Sequence, residues 1–336
     1  MSFRITVEPS GHVFSVNEGE TILDAALHHG LSFPYGCRNG GCGACKGKVV
    51  TGAVSYPQGR PSCLSDTEEA IGQAVLCQAQ PQGDVVLEVH EVGQAHDVPV
   101  RRYPTRVVAM ELLAEDVMRL RLKLPESDRM LFLAGQYVDI VLADGRRRSF
   151  SLANAPHDDA LLELHVRRVE GGEFTTHVFE QMREKDIVQL EGPFGDFYLR
   201  EASPRPLLFL AGGTGFAPIK GIIEHALQEG VSRPMALYWG SRTAAGQYQA
   251  ELAKRWHSDG GVAYVAVLSE PDEGDVGRNG LVHQAVLEDV ADLSEYDVYV
   301  SGPPAMVDAA REAFLQRGLP RGQFYSDSFE FASDRQ

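Results

Sequence analysis

The chain has 336 residues, 43% hydrophobic and 23% charged, and a net charge of −16 from 47 acidic and 31 basic side chains. That length allows two or three domains, and the composition is that of an ordinary globular protein. The acidic balance excludes a nucleic-acid-binding surface, and no apolar run reaches the roughly 18 residues of a membrane span.

Residues 1–92 open with alternating Phe3, Ile5 and Val7, a turn at Pro9-Ser10-Gly11-His12, and a returning Val13-Phe14-Ser15-Val16, which predicts a hairpin. Glu20 to Gly30 places Ile22, Leu23, Ala26 and Leu27 on one face and predicts a short helix stopped by Gly30. Lys46–Val50 and Val85–Val89 predict further strands, completing a β-grasp arrangement.

The same segment carries Cys37, Cys42 and Cys45, spaced C-x4-C-x2-C, with Cys77 following after 31 residues. This is the spacing with which four thiolates hold a plant-type [2Fe–2S] cluster. The intervening Gly40, Gly41 and Gly43 suit a loop that turns its N–H groups onto cluster sulfurs. Four-thiolate zinc sites come as two separated cysteine pairs, which these do not form; a zinc-bearing interaction protein is the alternative class. The N-terminus reads as a strand and not as a signal peptide, so reduced thiolates and a cytoplasmic location are expected. Cys63 is the rival fourth ligand and is read as a small buried hydrophobe, while Cys77 closes the apolar run Ala74-Val75-Leu76. Arg38, Lys46, Lys48 and Arg60 flank the loop, either as a solvated rim or as a positive collar for the cluster or an acidic partner.

Residues 93–102 lack periodicity and read as a linker. From 103 to 201, Arg106–Met110, Val117–Leu124, Gln136–Leu142, Arg147–Leu152, Leu161–Arg168 and Ile187–Glu191 predict six short strands, with one brief helix at Thr175–Gln181. Six alternating strands punctuated by Gly and Pro suggest an antiparallel β-barrel. From 202 to 336 strands and helices alternate: Pro206–Leu210, Met235–Trp239, Val262–Leu268, Val298–Ser301 and Phe324–Asp327 as strands, with helices at Ala217–Glu229, Gln247–Trp256 and Ala305–Arg317. That alternation predicts a Rossmann-like parallel sheet with helices on both faces. Gly212-Gly213-Thr214-Gly215-Phe216-Ala217-Pro218 falls between the first strand and first helix of this piece. Glycines there let backbone approach a pyrophosphate, and the helix N-terminus offers N–H groups.

Arg148-Ser149-Phe150-Ser151, Gly192-Pro193-Phe194-Gly195, Gly213–Pro218 and Ser301-Gly302-Pro303-Pro304, in this order behind the cysteine module, resemble the ferredoxin–NADP reductase superfamily. The order of modules is similar to the reductase components of multicomponent oxygenases, and the wording of Leu133–Pro156 is nearest the branch serving a pyridoxamine-phosphate-dependent sugar 3-dehydrase. The resemblance implies an enzyme that passes electrons from NADH, with NADPH as the variant cofactor, through FAD and the cluster to a partner protein. That partner is a sugar 3-dehydrase or an oxygenase component.

The resemblance also implies residue roles. Arg148 and Ser149 hold FAD, Phe150 stands where a flavin-stacking Tyr is usual, and Ser151 lies near flavin N5. His165, Val166 and Arg167 approach the ribityl and diphosphate, and Gly172, Thr175 and Thr176 hold phosphate oxygens. Gly213, Thr214, Gly215 and Pro218 take nucleotide phosphates, Ser241 and Arg242 lie by the adenosine ribose, and Ser301, Gly302 and Pro303 lie by the nicotinamide, Ser301 replacing the usual Cys. Phe329 matches the aromatic that covers the flavin.

Overall fold

Alternation of apolar and polar residues in strands β1 (Ser2–Glu8) and β2 (Val13–Asn17) buries Ile5, Val7, Phe14 and Val16 on one face of an antiparallel hairpin. The computed structural model describes residues 2–31, 33–36, 38–41, 43–89 and 99–329. It divides into two units, Met1–Pro99 and Val100–Gln336.

In the first unit, helix α1 (Ile22–His28) starts at Thr21, whose hydroxyl accepts from Asp24 N, and buries Ile22, Leu23, Ala25 and Ala26. Strands β3 (Lys46–Thr51), β4 (Val54–Ser55), β5 (Gln73–Val75), β6 (Gln80–Pro81) and β7 (Val85–Glu88) follow, with the short helix α2 (Asp66–Ala70) between β4 and β5. The main sheet runs β2-β1-β7-β3-β5, with β1 and β7 parallel at its centre. This is the β-grasp fold.

The second unit begins with strand β8 (Arg101–Ala114), whose Arg101 and Arg102 pair with Gly192 and Glu191. The expected linker therefore gives its last two residues to the sheet. Strands β9 (Val117–Lys123), β10 (Tyr137–Val141), β11 (Arg147–Ser151), β12 (Leu162–Arg167) and β13 (Ile187–Phe194) complete an antiparallel sheet ordered β11-β10-β13-β8-β9-β12, with helix α3 (Glu173–Glu180) before β13. A bridge between Leu152 and Leu164 joins its two edges and closes the barrel around Val138, Leu164, Val166 and Leu190.

Strand β14 (Leu207–Gly212) leads into helix α4 (Phe216–Gln228), then β15 (Met235–Ser241), α5 (Ala250–Ser258), β16 (Ala263–Leu268), β17 (Arg278–Asn279), α6 (Val282–Asp289), β18 (Asp297–Gly302), α7 (Pro304–Gln316) and β19 (Phe324–Ser328). The order is β17-β16-β15-β14-β18-β19, and every pairing is parallel. Leu207, Phe209 and Ala211 face α4 and α5, whereas Leu208 and Leu210 face α6 and α7, so β14 is apolar throughout. Helix α5 starts three residues later than its pattern suggests. Gln247 is drawn off to cap β15, its amide donating to Trp239 O at 2.6 Å.

Candidate functional site

The cysteine loop belongs to the first unit. Cys37 and Cys42 lie outside the described residues; Cys45 and Cys77 are buried at 3% and 5% exposure. Leu76 N donates to Cys45 O at 3.1 Å, and β3 pairs Lys46 with Val75, so the two sulfur-bearing segments run side by side. Arg38, Gly40 and Gly43 adopt φ of 55°, 84° and 69°, which curls the loop left-handedly. Arg38, the one non-glycine of the three, is tied to Asp24 at 2.6 Å, and its carbonyl accepts from Gln78 Nε2 at 3.0 Å. A buried thiol pair beside a left-handed glycine loop fits the donor set of a [2Fe–2S] cluster.

Cys63 is half-buried and not a core residue. Its N–H donates to Gly40 O at 3.4 Å, and a Cβ built on Gly43 would lie 3.7 Å from its sulfur. The basic side chains near the loop face carboxylates: Lys46 bonds Glu68 at 2.7 Å, and Arg60 pairs with Asp66 and Glu69. The hydrogen bond from Lys46, with two from Ser65, holds Glu68 at a pKa of about 2. Such pairing favours the solvated-rim reading over a positive collar.

The second unit carries the other candidate residues. Along β11, side chains alternate, so Arg148 and Phe150 share one face and Ser149 and Ser151 the other. Burial lowers the Arg148 pKa, and the nearby Arg146 lowers it further, an environment an anionic phosphate would relieve. The Phe150 ring lies 5.6 Å from that of Phe174. Ser149 Oγ donates to Asp139 at 2.6 Å, and Ser151 Oγ to Asp327 at 2.8 Å. Asp327 is a site neighbour that pattern reading missed; nothing local marks a residue whose partner is 176 positions away.

Other expected FAD residues have partners inside the protein. The His165 side chain is fully buried, with both ring nitrogens bonded within the protein, and Val166 is buried in the barrel core. Thr175 Oγ1 lies 3.2 Å from Gly172 O and 3.1 Å from Val169 N, closing the turn before α3, while Thr176 N donates to Gly172 O. Arg167 turns to the glycine loop: a Cβ on Gly213 would sit 3.4 Å from its Nη2, and Asp116 lies 3.4 Å from its Nη1.

The sheet order reverses between β14 and β18, the switch point at which α/β sheets bind ligands. Bare backbone meets bare backbone there. A Cβ on Gly215 would lie 2.0 Å from Ser301 O, and one on Gly302 2.9 Å from Gly212 Cα. Gly213 takes φ 54° in the turn that enters α4, and Pro218 sits in the first turn of that helix. These crowded glycines fit a loop made for close approach to a dinucleotide.

Ser301 is fully buried, and its hydroxyl has no hydrogen-bond partner among the described residues. Phe329 follows β19, its N–H donating to Gly302 O at 2.9 Å, so it stands at the same crevice end. Pro303 caps α7. Ser241 Oγ donates to Thr243 O at 2.7 Å, and Arg242 is exposed at the end of β15.

A thiolate loop, a barrel with an arginine–serine strand and a glycine crevice define the class: an NAD(P)H-dependent iron–sulfur flavoprotein oxidoreductase. Residues 5–82 match the family "2Fe-2S iron-sulfur cluster binding domain", 104–198 "Oxidoreductase FAD-binding domain", and 209–312 "Oxidoreductase NAD-binding domain". The chain belongs to the ferredoxin–NADP reductase superfamily, in the branch that joins ferredoxin, FAD and NAD modules in one polypeptide.

It is 37% identical to the CDP-6-deoxy-L-threo-D-glycero-4-hexulose-3-dehydrase reductase of Yersinia pestis, over 98% of this chain and 99% of the relative. It is 38% identical to the aromatic O-demethylase reductase subunit of an Amycolatopsis species, over 99% of this chain and 100% of the relative. Among solved structures, the Amycolatopsis cytochrome P450 reductase superposes with a TM-score of 0.83 at 35% identity, covering 97% of this chain and 98% of that one. No helix among the described residues is long and apolar enough to cross a membrane.

Proposed function

We propose that this reductase carries electrons from NADH to a pyridoxamine-phosphate-dependent sugar 3-dehydrase in the cytoplasm. The end-to-end likeness to a named hexulose-3-dehydrase reductase, 37% identical over 98% of this chain, carries the reading. Cys37, Cys42, Cys45 and Cys77 hold the cluster. Arg148 and the β11 serines hold FAD, whose chemistry is to accept a hydride pair and release electrons singly. The Gly213–Gly215 turn and the Ser301–Pro303 segment receive the nucleotide, with Arg167 as the cation nearest that turn.

A second reading, an oxygenase reductase component, draws on the demethylase reductase subunit at 38% identity. Stopped-flow mixing of the NADH-reduced protein with each acceptor separates the two. Fast cluster reoxidation by the sugar dehydrase supports the first reading; speed only with an oxygenase component transfers the assignment, and sluggishness with both refutes each.

A further inference from the structure

The barrel and the nucleotide lobe are joined by a buried polar chain that no role above uses. His165 on β12 lies with Nε2 2.9 Å from Glu163 Oε1 and Nδ1 2.9 Å from the Tyr248 hydroxyl. Burial alone would raise the Glu163 pKa, but the His165 hydrogen bond and the Lys220 charge overcome it and hold it at about 2. A carboxylate can only accept, so Nε2 carries the proton and the Nδ1 lone pair receives the Tyr248 O–H. Burial lowers the His165 pKa and keeps the ring in this neutral form.

Tyr248 passes the contact on. Its ring meets Trp239 edge-on, with centroids 5.3 Å apart, and Trp239 stacks on Phe216 at 3.9 Å. The Trp239 indole N–H then donates to Gly213 O at 3.0 Å. In a trans peptide the C=O and N–H point opposite ways, so this bond turns the Thr214 N–H away from Trp239. Two residues along β12 from His165, Arg167 packs against the same glycine.

We propose that His165 and Tyr248 are positioning residues for the nicotinamide nucleotide: their hydrogen bond, acting through Trp239, sets the Gly213–Thr214 peptide that receives a phosphate. Neither touches the nucleotide. The inference rests on the glycine turn being the nucleotide site.

The test uses full-length holoprotein. Tyr248→Phe keeps the ring and removes the hydroxyl. NAD+ affinity, read from quenching of Trp239 and Trp256 emission, should fall about three- to ten-fold, the scale of one lost buried hydrogen bond. KM for NADH should rise with it while kcat changes less. Ferricyanide oxidation of dithionite-reduced protein, which bypasses the nucleotide, should keep its wild-type rate. His165→Gln, whose amide can donate to Glu163 and accept from Tyr248, should hold near wild-type affinity, and His165→Leu should not. Wild-type Kd and KM in Tyr248→Phe overturn the proposal, and so does a His165→Leu protein that matches His165→Gln. If His165→Leu does not fold, Tyr248→Phe alone decides. A wild-type protein whose flavin is not reduced by NADH instead overturns the reading of the glycine turn itself.

Discussion

Gly215→Ala puts the backbone crevice to a direct test. Gly215 lies at φ −58°, ψ −12°, where alanine is comfortable, so conformational strain contributes nothing and crowding alone is measured. The added Cβ would stand 2.0 Å from Ser301 O, 2.4 Å from Ser301 C and 2.8 Å from Gly302 N. All three are backbone atoms on β18, whose pairing with β14 matches Ala211 to Ser301, so no rotamer change relieves the clash. Separating the strand ends enough to admit a methyl group falls at the upper end of overpacking costs, about 3 kcal/mol. For a unit of this size that lowers Tm by roughly 6 to 12 °C. Gly322→Ala is the control, because a Cβ there meets nothing within 4 Å, and it should stay within about 0.5 kcal/mol of wild type. Thermal melts followed by circular dichroism, with NAD+ titrations beside them, read both effects. A Gly215→Ala protein that melts with wild type and binds NAD+ equally well refutes the close approach of β14 and β18.

Three further outcomes are expected. Cys77→Ser should abolish the visible absorbance of the cluster while Cys63→Ser retains it; the reverse pattern in anaerobically purified protein would make Cys63 the fourth ligand. Arg148→Ala should lose FAD during gel filtration with the cluster spectrum intact, and full flavin content would remove Arg148 from the site.

The third outcome concerns acid. The Glu163 pKa falls from 4.5 to about 2 on folding, so its contribution is complete above 4.5 and disappears as pH falls toward 2. Linkage makes this on the order of 3 kcal/mol. His165, also depressed from 6.5, acts in the same direction below that pH. Glu163→Gln should therefore be less stable than wild type at pH 7, with the gap closing by pH 2 in urea titrations. A gap independent of pH would show that the carboxylate is not ionised in the fold.

The iron–sulfur domain was legible because metal spacing is local: the Cys37-to-Cys45 loop announces itself within nine residues. The barrel and the parallel sheet were legible because period-2 alternation and strand–helix alternation write the core directly into the chain. Roles that depend on distant partners were not. His165 reads as a site residue beside Arg167, and nothing local shows that its ring bonds Tyr248, 83 positions away. Thr175 follows a glycine pair as a phosphate-binding threonine does, and its hydroxyl also closes the turn before α3. Ser301 and its solitary buried hydroxyl mark the opposite case, a departure visible in sequence whose surroundings only the fold supplies.

The bond from Ser151 to Asp327 bears on how the protein is made. Domains emerge from the ribosome and fold in order, N-terminal first. All six barrel strands, Arg101 to Phe194, precede β14, so the barrel can close while the rest of the unit is still being translated. Strand β19 is translated after every other described strand, so the Ser151 hydroxyl gains its Asp327 partner only after β19 is made. A chain stalled before Asp327 would thus carry a closed barrel with an unfinished junction at Ser151. The Ser151–Asp327 junction therefore closes only once β19 has been made.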